Sequence, residues 1–586
     1  MSLLPRAAES PQQAESQGTR ALARAQWLVL CCYLLGAVAL TWRLWVDPAS
    51  RVQGAGDIDQ FAWFMRYSAT AIAHGHLPAL VTTAMNAPYG VNLMWNTSFL
   101  LPGILLTPVT LLAGPQVSLT LMLTAGFAGS AAAMFAVLRR WGASVTAAAL
   151  GGALYGFSPA LVHAGSGGYQ LQFAVLPPLI IDAVLRIIAG RGSAIRTGTW
   201  LGLLVAAQLF IAEEMLVDTA IVAAVMAAVL AASRPRSTVH LARTSSMGIA
   251  AAAGVALLIC GRALWVQFHG PAVSVAGFWT DLPAFVTPSS DLLFHSSASA
   301  ATIAHTPAQG AYLMYLGWPL IITLLAAMIF FWRHQTVRVT AVTFVMLELF
   351  ALGSHVFVVS RVRYAGPLLP WYWLQGLPVL SAVLPYRLCI LAGGTAGALL
   401  AFSFDLTRSL AAPPGNWRNA GRVALAALVL AVVPLIPRPY PAVRVAPLPA
   451  GWQAAFARLQ LPPGARVLVV PVPYALIPQP LRWQADTGEP ASMIGGDFIG
   501  FDSHARVVRA GRAGQTRTAT YLNALWTWSP AAHAPSPAQV HADFVSWHPT
   551  AVVAVTRPDS RLGQFLRGLL GPPDCQAGSV LAWRLP

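Results

Sequence analysis

The sequence predicts a mainly α, polytopic helical membrane protein that carries a small α/β domain at its C-terminal end. Three observations predict this class. Charged residues make up only 10% of the 586 positions and apolar residues 56%, whereas soluble chains carry roughly 25% charge. About eleven apolar runs have the length that a bilayer core demands. From position 438 the pattern changes to short apolar stretches broken by Pro and Gly.

Residues 1–26 are polar, include Arg6, Arg20 and Arg24, and read as a disordered cytosolic N-terminus. Residues 27–46 form the first span, too long and too poor in small residues at its end for a cleaved signal peptide. Further spans are predicted at about 117–138, 144–162, 171–189, 197–212, 214–232, 246–266, 311–332, 339–358, 385–404 and 421–437. The run 98–113 is short and interrupted by Pro102, Gly103 and Pro108.

Charge decides whether that run crosses. If it does not, Arg139/Arg140, Arg191/Arg196, Arg234/Arg236/Arg243, Arg333/Arg338 and Arg408/Arg418/Arg422 all share the side of the basic N-terminus. If it does cross, every cluster inverts. The positive-inside rule therefore predicts a re-entrant or interfacial segment at 98–113. It also predicts a cytoplasmic N-terminus and an extracytoplasmic C-terminal domain. The all-Arg basic set, with the Ala, Gly and Pro excess, points to a GC-rich bacterial genome and so to a bacterial inner (plasma) membrane. All 36 basic residues are Arg, and the net charge of +16 is absorbed by this loop pattern, so it argues for topology and not for nucleic-acid binding. The cysteines Cys31, Cys32, Cys260, Cys389 and Cys575 show no metal-binding spacing, and the first four are expected to be buried structural thiols.

Under that topology the transmembrane domain covers 27–437, with an outer loop at 47–97. A Pro-rich linker at 438–450 leads to a domain over 451–586. There 464–473, 550–556 and 579–586 read as strands and 561–570 as an amphipathic helix. Four features meet on the outer face: the loop 47–97, the turn 163–170, the Glu213–Glu214 turn, and the loops 267–310 and 359–384.

The outer loop holds the acids Asp57 and Asp59, in GDIDQFAWFMRY (56–67). A carboxylate at a membrane-facing cavity can serve as a general base; equally, the pair can solvate the loop, with Asp59 as cap of the helix that follows. Phe61, Trp63, Phe64 and Tyr67 predict an amphipathic helix lying in the membrane interface. Gln60 stands beside the acids. A second patch, Asn86, Tyr89, Asn92, Trp95 and Asn96, suits sugar hydroxyls and faces, or simply a turn-rich loop. Glu213 and Glu214 can bind a cation, bind an Arg or polarise an acceptor. His163 and Gln170 bound the neighbouring turn. Arg361, Arg363 and Arg387 fall on the outer side and can hold a phosphate in a bidentate fork or snorkel to the interface; Arg387 is the preferred phosphate ligand.

The motifs GDIDQFAWF, NAPYGVNLMWNTS (86–98), GGALYGFSP (151–159), AEE (212–214) and LPYRLCILAGG (384–394) carry a resemblance. Together with an acidic first outer loop, many short-looped spans and a C-terminal outer domain, they resemble the GT-C superfamily of polytopic membrane glycosyltransferases. The nearest likeness is to a poorly characterised group of bacterial members. The resemblance implies inverting transfer of a sugar from a polyprenyl-phosphate donor to a cell-envelope glycan, lipid or protein on the outer face. Asp57 or Asp59 then matches the superfamily's first-loop acid. It implies the bilayer, the lipid-linked donor and the acceptor as partners, no nucleic acid, and no certain cofactor, a divalent cation being open. A lipid or glycan transporter or flippase, and an inactive envelope-assembly scaffold, are the competing readings.

Overall fold

The computed structural model describes residues 11–54, 57–233, 235–269, 280–306, 312–359, 361–411, 417–488, 491–502, 507–510, 515–529 and 533–586. Arg6, Gly56 and Arg234 lie outside the described residues. The chain is mainly α. The first helix, α1 (Pro11–Trp45), begins well before the predicted span, so part of the segment predicted to be disordered is helical. Then come α2 (Ile58–Ala73), α3 (Leu100–Leu105), α4 (Thr107–Ala113), α5 (Pro115–Arg140), α6 (Val145–Gly156), α7 (Pro159–Ala164) and α8 (Tyr169–Gln172). The bundle continues with α9 (Leu176–Ile188), α10 (Ala194–Leu209), α11 (Glu213–Ser233), α12 (Pro235–Phe268), α13 (Ser297–His305), α14 (Gly317–Phe331) and α15 (Gln335–Ala351). After α16 (Trp371–Leu374) it closes with α17 (Leu388–Ala411) and α18 (Trp417–Leu430).

Each predicted apolar run contains a helix. Six stretches among the described residues are long and apolar enough to cross a bilayer: Arg20–Trp45, Pro115–Arg140, Val145–Ala164, Glu213–Ser233, Ser245–Phe268 and Pro385–Ala411. The run 98–113 is split at Leu106 into α3 and α4, of 6 and 7 residues. At 1.5 Å per residue neither reaches across a hydrocarbon core about 30 Å thick.

Local chemistry explains the breaks. Gly114, at φ +91°, turns the chain so that Pro115 can open α5. The hydroxyls of Ser144 and Ser158 accept the backbone N–H of Ala147 and Leu161, capping α6 and α7. α17 is the central pillar, packed against α6, α15 and α18. A Cβ on Gly151 would lie 2.5 Å from the carbonyl oxygen of Gly397, so α6 and α17 touch backbone to backbone only because both positions are glycine. The thiols of Cys260 and Cys389 are buried, but Cys31 and Cys32 are exposed on α1, which corrects the expectation for those two: an apolar helix at the rim of a bundle turns side chains outward.

The C-terminal region contains α19 (Trp452–Leu459), α20 (Gln479–Thr487), α21 (Arg517–Thr527), α22 (Pro537–Trp547) and α23 (Arg561–Leu570). Short strands β1 (Arg51–Val52), β2 (Val81–Thr82), β3 (Val91–Asn92), β4 (His355–Val358), β5 (Arg361–Ala365) and β6 (Val443–Arg444) occur earlier. The domain's own strands are β7 (Arg466–Val470), β8 (Ser492–Met493), β9 (Ile499–Asp502), β10 (Val507–Ala510), β11 (Ala551–Val555), β12 (Cys575–Ala577) and β13 (Val580–Arg584). Five form one sheet in the order β12-β13-β11-β7-β8, with β7 parallel to both β11 and β8. Because β7 and β11 are central and covered on both faces, they read as unbroken apolar runs, RVLVV and AVVAV.

This domain is fastened to the loop that follows α1. β1 pairs antiparallel with β6, Arg51 opposite Arg444. The N–H groups of Asn86 and Ala87 donate to the carbonyls of Gly495 and Met493, and the Met493 N–H donates back to Ala84. One end of the bundle therefore gathers the loop after α1 and the C-terminal sheet.

Candidate active site at the junction of three segments

α2 forms the floor of the site, and its environment corrects one expectation. Phe61, Trp63 and Phe64 are buried in protein and not laid against lipid. Phe61 packs edge-on to Phe99 and Tyr169, each at 5.6 Å between centroids. The Trp63 indole donates to Gln484 Oε1 (2.7 Å) on α20, and Tyr67 stacks on Trp63. Aromatic spacing marks an apolar face; here the C-terminal domain covers it.

The two acids of the loop have different surroundings. Asp57 is the residue before α2 and its side chain makes no capping hydrogen bond, while Asp59 lies inside the first turn, so the expectation that Asp59 caps the helix is corrected. Asp57 is exposed, and among the described residues its carboxylate has no hydrogen-bond partner. Surrounding protein raises its pKa above the usual carboxylate range, and the positive charge of Arg387 partly offsets this. Asp59 is also raised by burial, against the pull of Arg482 and with the push of Asp486.

Arg482, on α20, is completely buried. Its Nε donates to both oxygens of Asp486 at 3.0 Å, its Nη1 donates to Gln116 Oε1 on α5 at 2.9 Å, and Nη1 lies 4.0 Å from Asp59 Oδ1. Asp59 thus borders a buried linkage that Arg482 makes from α20 to α5, and Asp57 is the more open acid.

Two functional groups escaped the sequence reading, Arg482 and Asp497. Asp497 is 6% exposed and sits in a Gly495-Gly496 turn of the C-terminal domain. Gly495 is at φ +81°, and a Cβ on Gly496 would fall 2.4 Å from Met85 Cγ, so only glycines allow the turn to press against the loop after α1. Gln60 Nε2 donates to the Asp497 carbonyl at 2.7 Å, locking the turn over α2. Desolvation first, then the charges of Asp57 and Asp59, push the Asp497 carboxyl up to about 7. An acid directly after two glycines was the available signal.

The raised pKa gives a prediction. Asp497 binds a proton more tightly folded than unfolded, so its contribution to stability is full below the unfolded value of 3.8 and is lost as pH rises through about 7. Resistance of the C-terminal domain to limited proteolysis should fall across that window in the parent protein and stay flat there in Asp497→Asn. The same slope in both proteins would refute it.

The cation of the site is Arg387, directly before α17. Its Nη1 donates to Glu214 Oε2 on α11, and it lies beside the Tyr386 ring at 6.0 Å. Glu214 Oε1 also accepts the Leu384 N–H, at 3.4 Å. Of the roles open to Glu214, the structure shows the Arg pair. Glu213 Oε1 accepts from the Thr97 hydroxyl at 2.9 Å, tying the second patch to α11.

That patch is turned inward. Asn86 Nδ2 donates to Gly90 O, Asn92 Nδ2 to Val266 O, and the Trp95 indole to Gln267 O. Asn96 exchanges bonds with the backbone of Ile499. These four side chains hold loops together: a polar side chain in a crowded turn finds backbone first. Tyr89 alone of the patch is exposed. His163 Nδ1 lies 2.9 Å from Asp291 Oδ2 and its ring stacks on Tyr312, while the Oε1 of Gln170 is buried without a partner. Arg361 and Arg363 are exposed on β5. No contact brings either of them to the acids among the described residues.

The arrangement is therefore an open carboxylate, a second carboxyl from another domain and a buried-edge guanidinium. Among the described residues no three His, Cys, Asp or Glu side chains stand close enough to hold a metal ion together.

No known family profile matches the chain, and no curated protein does. Solved structures do. The mycobacterial arabinofuranosyltransferase AftD matches with a TM-score of 0.49 at 17% identity, over 96% of this chain and 40% of that one. The oligosaccharyltransferase AglB of Archaeoglobus fulgidus, in complex with an inhibitory peptide and a dolichol-phosphate, matches with a TM-score of 0.46 at 10% identity, over 90% of this chain and 69% of that one. The chain thus spans well under half the length of the arabinofuranosyltransferase.

Proposed function

We propose that this protein is an inverting membrane glycosyltransferase that uses a sugar linked through phosphate to a polyprenyl lipid and works on the outer face of a bacterial inner membrane. The observation that carries the reading is Asp57, exposed at the start of α2 with no capping bond, whose carboxylate is within the electrostatic influence of Arg387 at the start of α17. Asp57 takes the proton of an acceptor hydroxyl while that oxygen bonds to the sugar's anomeric carbon. The bond from that carbon to the phosphate oxygen breaks, and the lipid phosphate leaves with the electron pair. Inversion needs one base only, because the leaving phosphate needs no proton. Arg387 holds the phosphate; Asp497 and Gln60 close the site from above α2. The Arg-rich loops on the opposite side support the orientation. The acceptor is a cell-envelope glycan, lipid or protein.

Polyprenyl monophosphate alone is the probe that tests the cation. Arg387→Ala should weaken its binding to detergent-solubilised protein about 10–100-fold, the worth of a charge-assisted hydrogen bond of about 1.5–3 kcal/mol. Glu214→Gln removes the competing anion but keeps the guanidinium, so it should bind the lipid phosphate at least as tightly as the parent. Equal affinity in Arg387→Ala and parent would remove Arg387 from the site.

One observation favours a transport protein instead. Asp218 lies in α11, completely buried, with neither carboxylate oxygen hydrogen-bonded. Ionisable groups inside spans often mark transport paths. Lipid translocation in proteoliposomes that is lost in Asp218→Asn and intact in Asp57→Asn would select that reading.

A further inference from the structure

The segment between α15 and α17 has no part in the site just described, yet almost every residue from Arg361 to Val379 is exposed or half-buried. It is not loosely attached. Leu369 and Trp371 are buried, and Trp371 packs against Phe350 at the end of α15 (6.1 Å). The Leu368 N–H donates to the Tyr364 hydroxyl, and the Trp373 indole N–H donates to the Pro367 carbonyl. With that N–H satisfied internally, Trp373 turns an apolar ring outward.

What the segment exposes is unusual for a surface facing water. Leu368 is 83% and Trp373 68% exposed, and Tyr372, Leu377 and Val379 stand out with them. Arg361 and Arg363 flank this patch on β5, both exposed. Its two ends are fixed by position: it follows α15, which overlaps the predicted run 339–358, and precedes Pro385–Ala411, a stretch long and apolar enough to cross a bilayer. Where both helices cross, the segment therefore starts and ends at the membrane surface. Trp and Tyr prefer that level, and Arg there meets phosphate.

We propose that residues 361–379 form an interfacial anchor that inserts Leu368, Trp373 and Leu377 into the bilayer surface and binds anionic phospholipid headgroups through Arg361 and Arg363. The charge and the apolar side chains select the same occupant, because a bilayer surface offers phosphate and hydrocarbon within a few ångströms of each other. A second protein would have to supply both. The inference is independent of the glycosyltransferase reading, since it requires only that α15 and α17 cross the membrane.

Photo-crosslinking tests it on the full chain in vesicles. A benzophenone amino acid is placed at Leu368, at Trp373, or at Val545, which is exposed on the C-terminal domain. The first two positions should yield adducts with radiolabelled phosphatidylglycerol, and Val545 none. Competition by unlabelled phosphatidylcholine should be weaker than by phosphatidylglycerol. The double change Arg361→Gln and Arg363→Gln should reduce that preference about fivefold or more per Arg, while leaving the apolar adduct in place. Absence of lipid adducts at both Leu368 and Trp373, adducts only to a protein, or an unchanged headgroup preference in the double variant would each overturn the proposal.

Discussion

Asp57→Asn is expected to lower sugar transfer by about 10²–10⁴-fold, the range a positioned general base contributes. The amide keeps the shape of the side chain and cannot take the acceptor's proton. Because Asp57 has no hydrogen-bond partner among the described residues, little folding energy rides on it, and protein abundance and lipid-phosphate binding should stay at parental levels. Asp59→Asn is the informative companion. Its carboxylate lies 4.0 Å from Arg482 at the edge of the linkage, so the change should loosen the C-terminal domain modestly and affect turnover only as far as that domain shifts. The measurement is single-turnover transfer at saturating acceptor, read beside a thermal melt. Parental transfer rates in both variants would show that the chemistry takes place elsewhere.

The other large effect is expected at Arg482. Changing it to Met removes the cation shared by Asp59 and Asp486 and strips Gln116 Oε1 of its donor. Breaking a buried ion pair from one side costs about 3–5 kcal/mol. The C-terminal domain should then become accessible to protease at the linker 438–450 under conditions where the parent is resistant. Asp59→Asn and Asp486→Asn added to Arg482→Met should recover much of the loss, since the stranded charges are then gone. If Arg482→Met alone resists protease as the parent does, the linkage does not hold the domains together.

The helices were legible because a bilayer tolerates little except long apolar runs, and the break at 98–113 was legible because Pro102, Gly103 and Pro108 punctuate it. The strands RVLVV and AVVAV announced themselves for a related reason: covered on both faces, they carry no polar alternation. The site was legible only in its near half. Asp57 and Arg387 stand out as charges beside apolar sequence, and that local contrast survives without a structure. Asp497 and Arg482 meet α2 and α5 across hundreds of residues, and no periodicity encodes a contact at that separation. The aromatic face of α2 was visible but its partner was not, since lipid and protein ask for the same side chains. Asn86, Asn92, Trp95 and Asn96 show the complementary difficulty: a sequence records that a group can bond, not whether the nearest backbone has already taken it.

The hydrogen bond from Gln60 to Asp497 spans 437 positions of chain. Gln60 and Asp57 emerge during synthesis directly after the first membrane helix, and Asp497 only after the bundle and the linker have followed. Until then the acids at the start of α2 and the Trp63 side of that helix lack their C-terminal partners. The Gly495-Gly496 turn that lies over α2 follows the whole bundle and the linker. A fragment that stops within the bundle therefore lacks the Gly495-Gly496 turn and leaves the face of α2 that meets it without that cover.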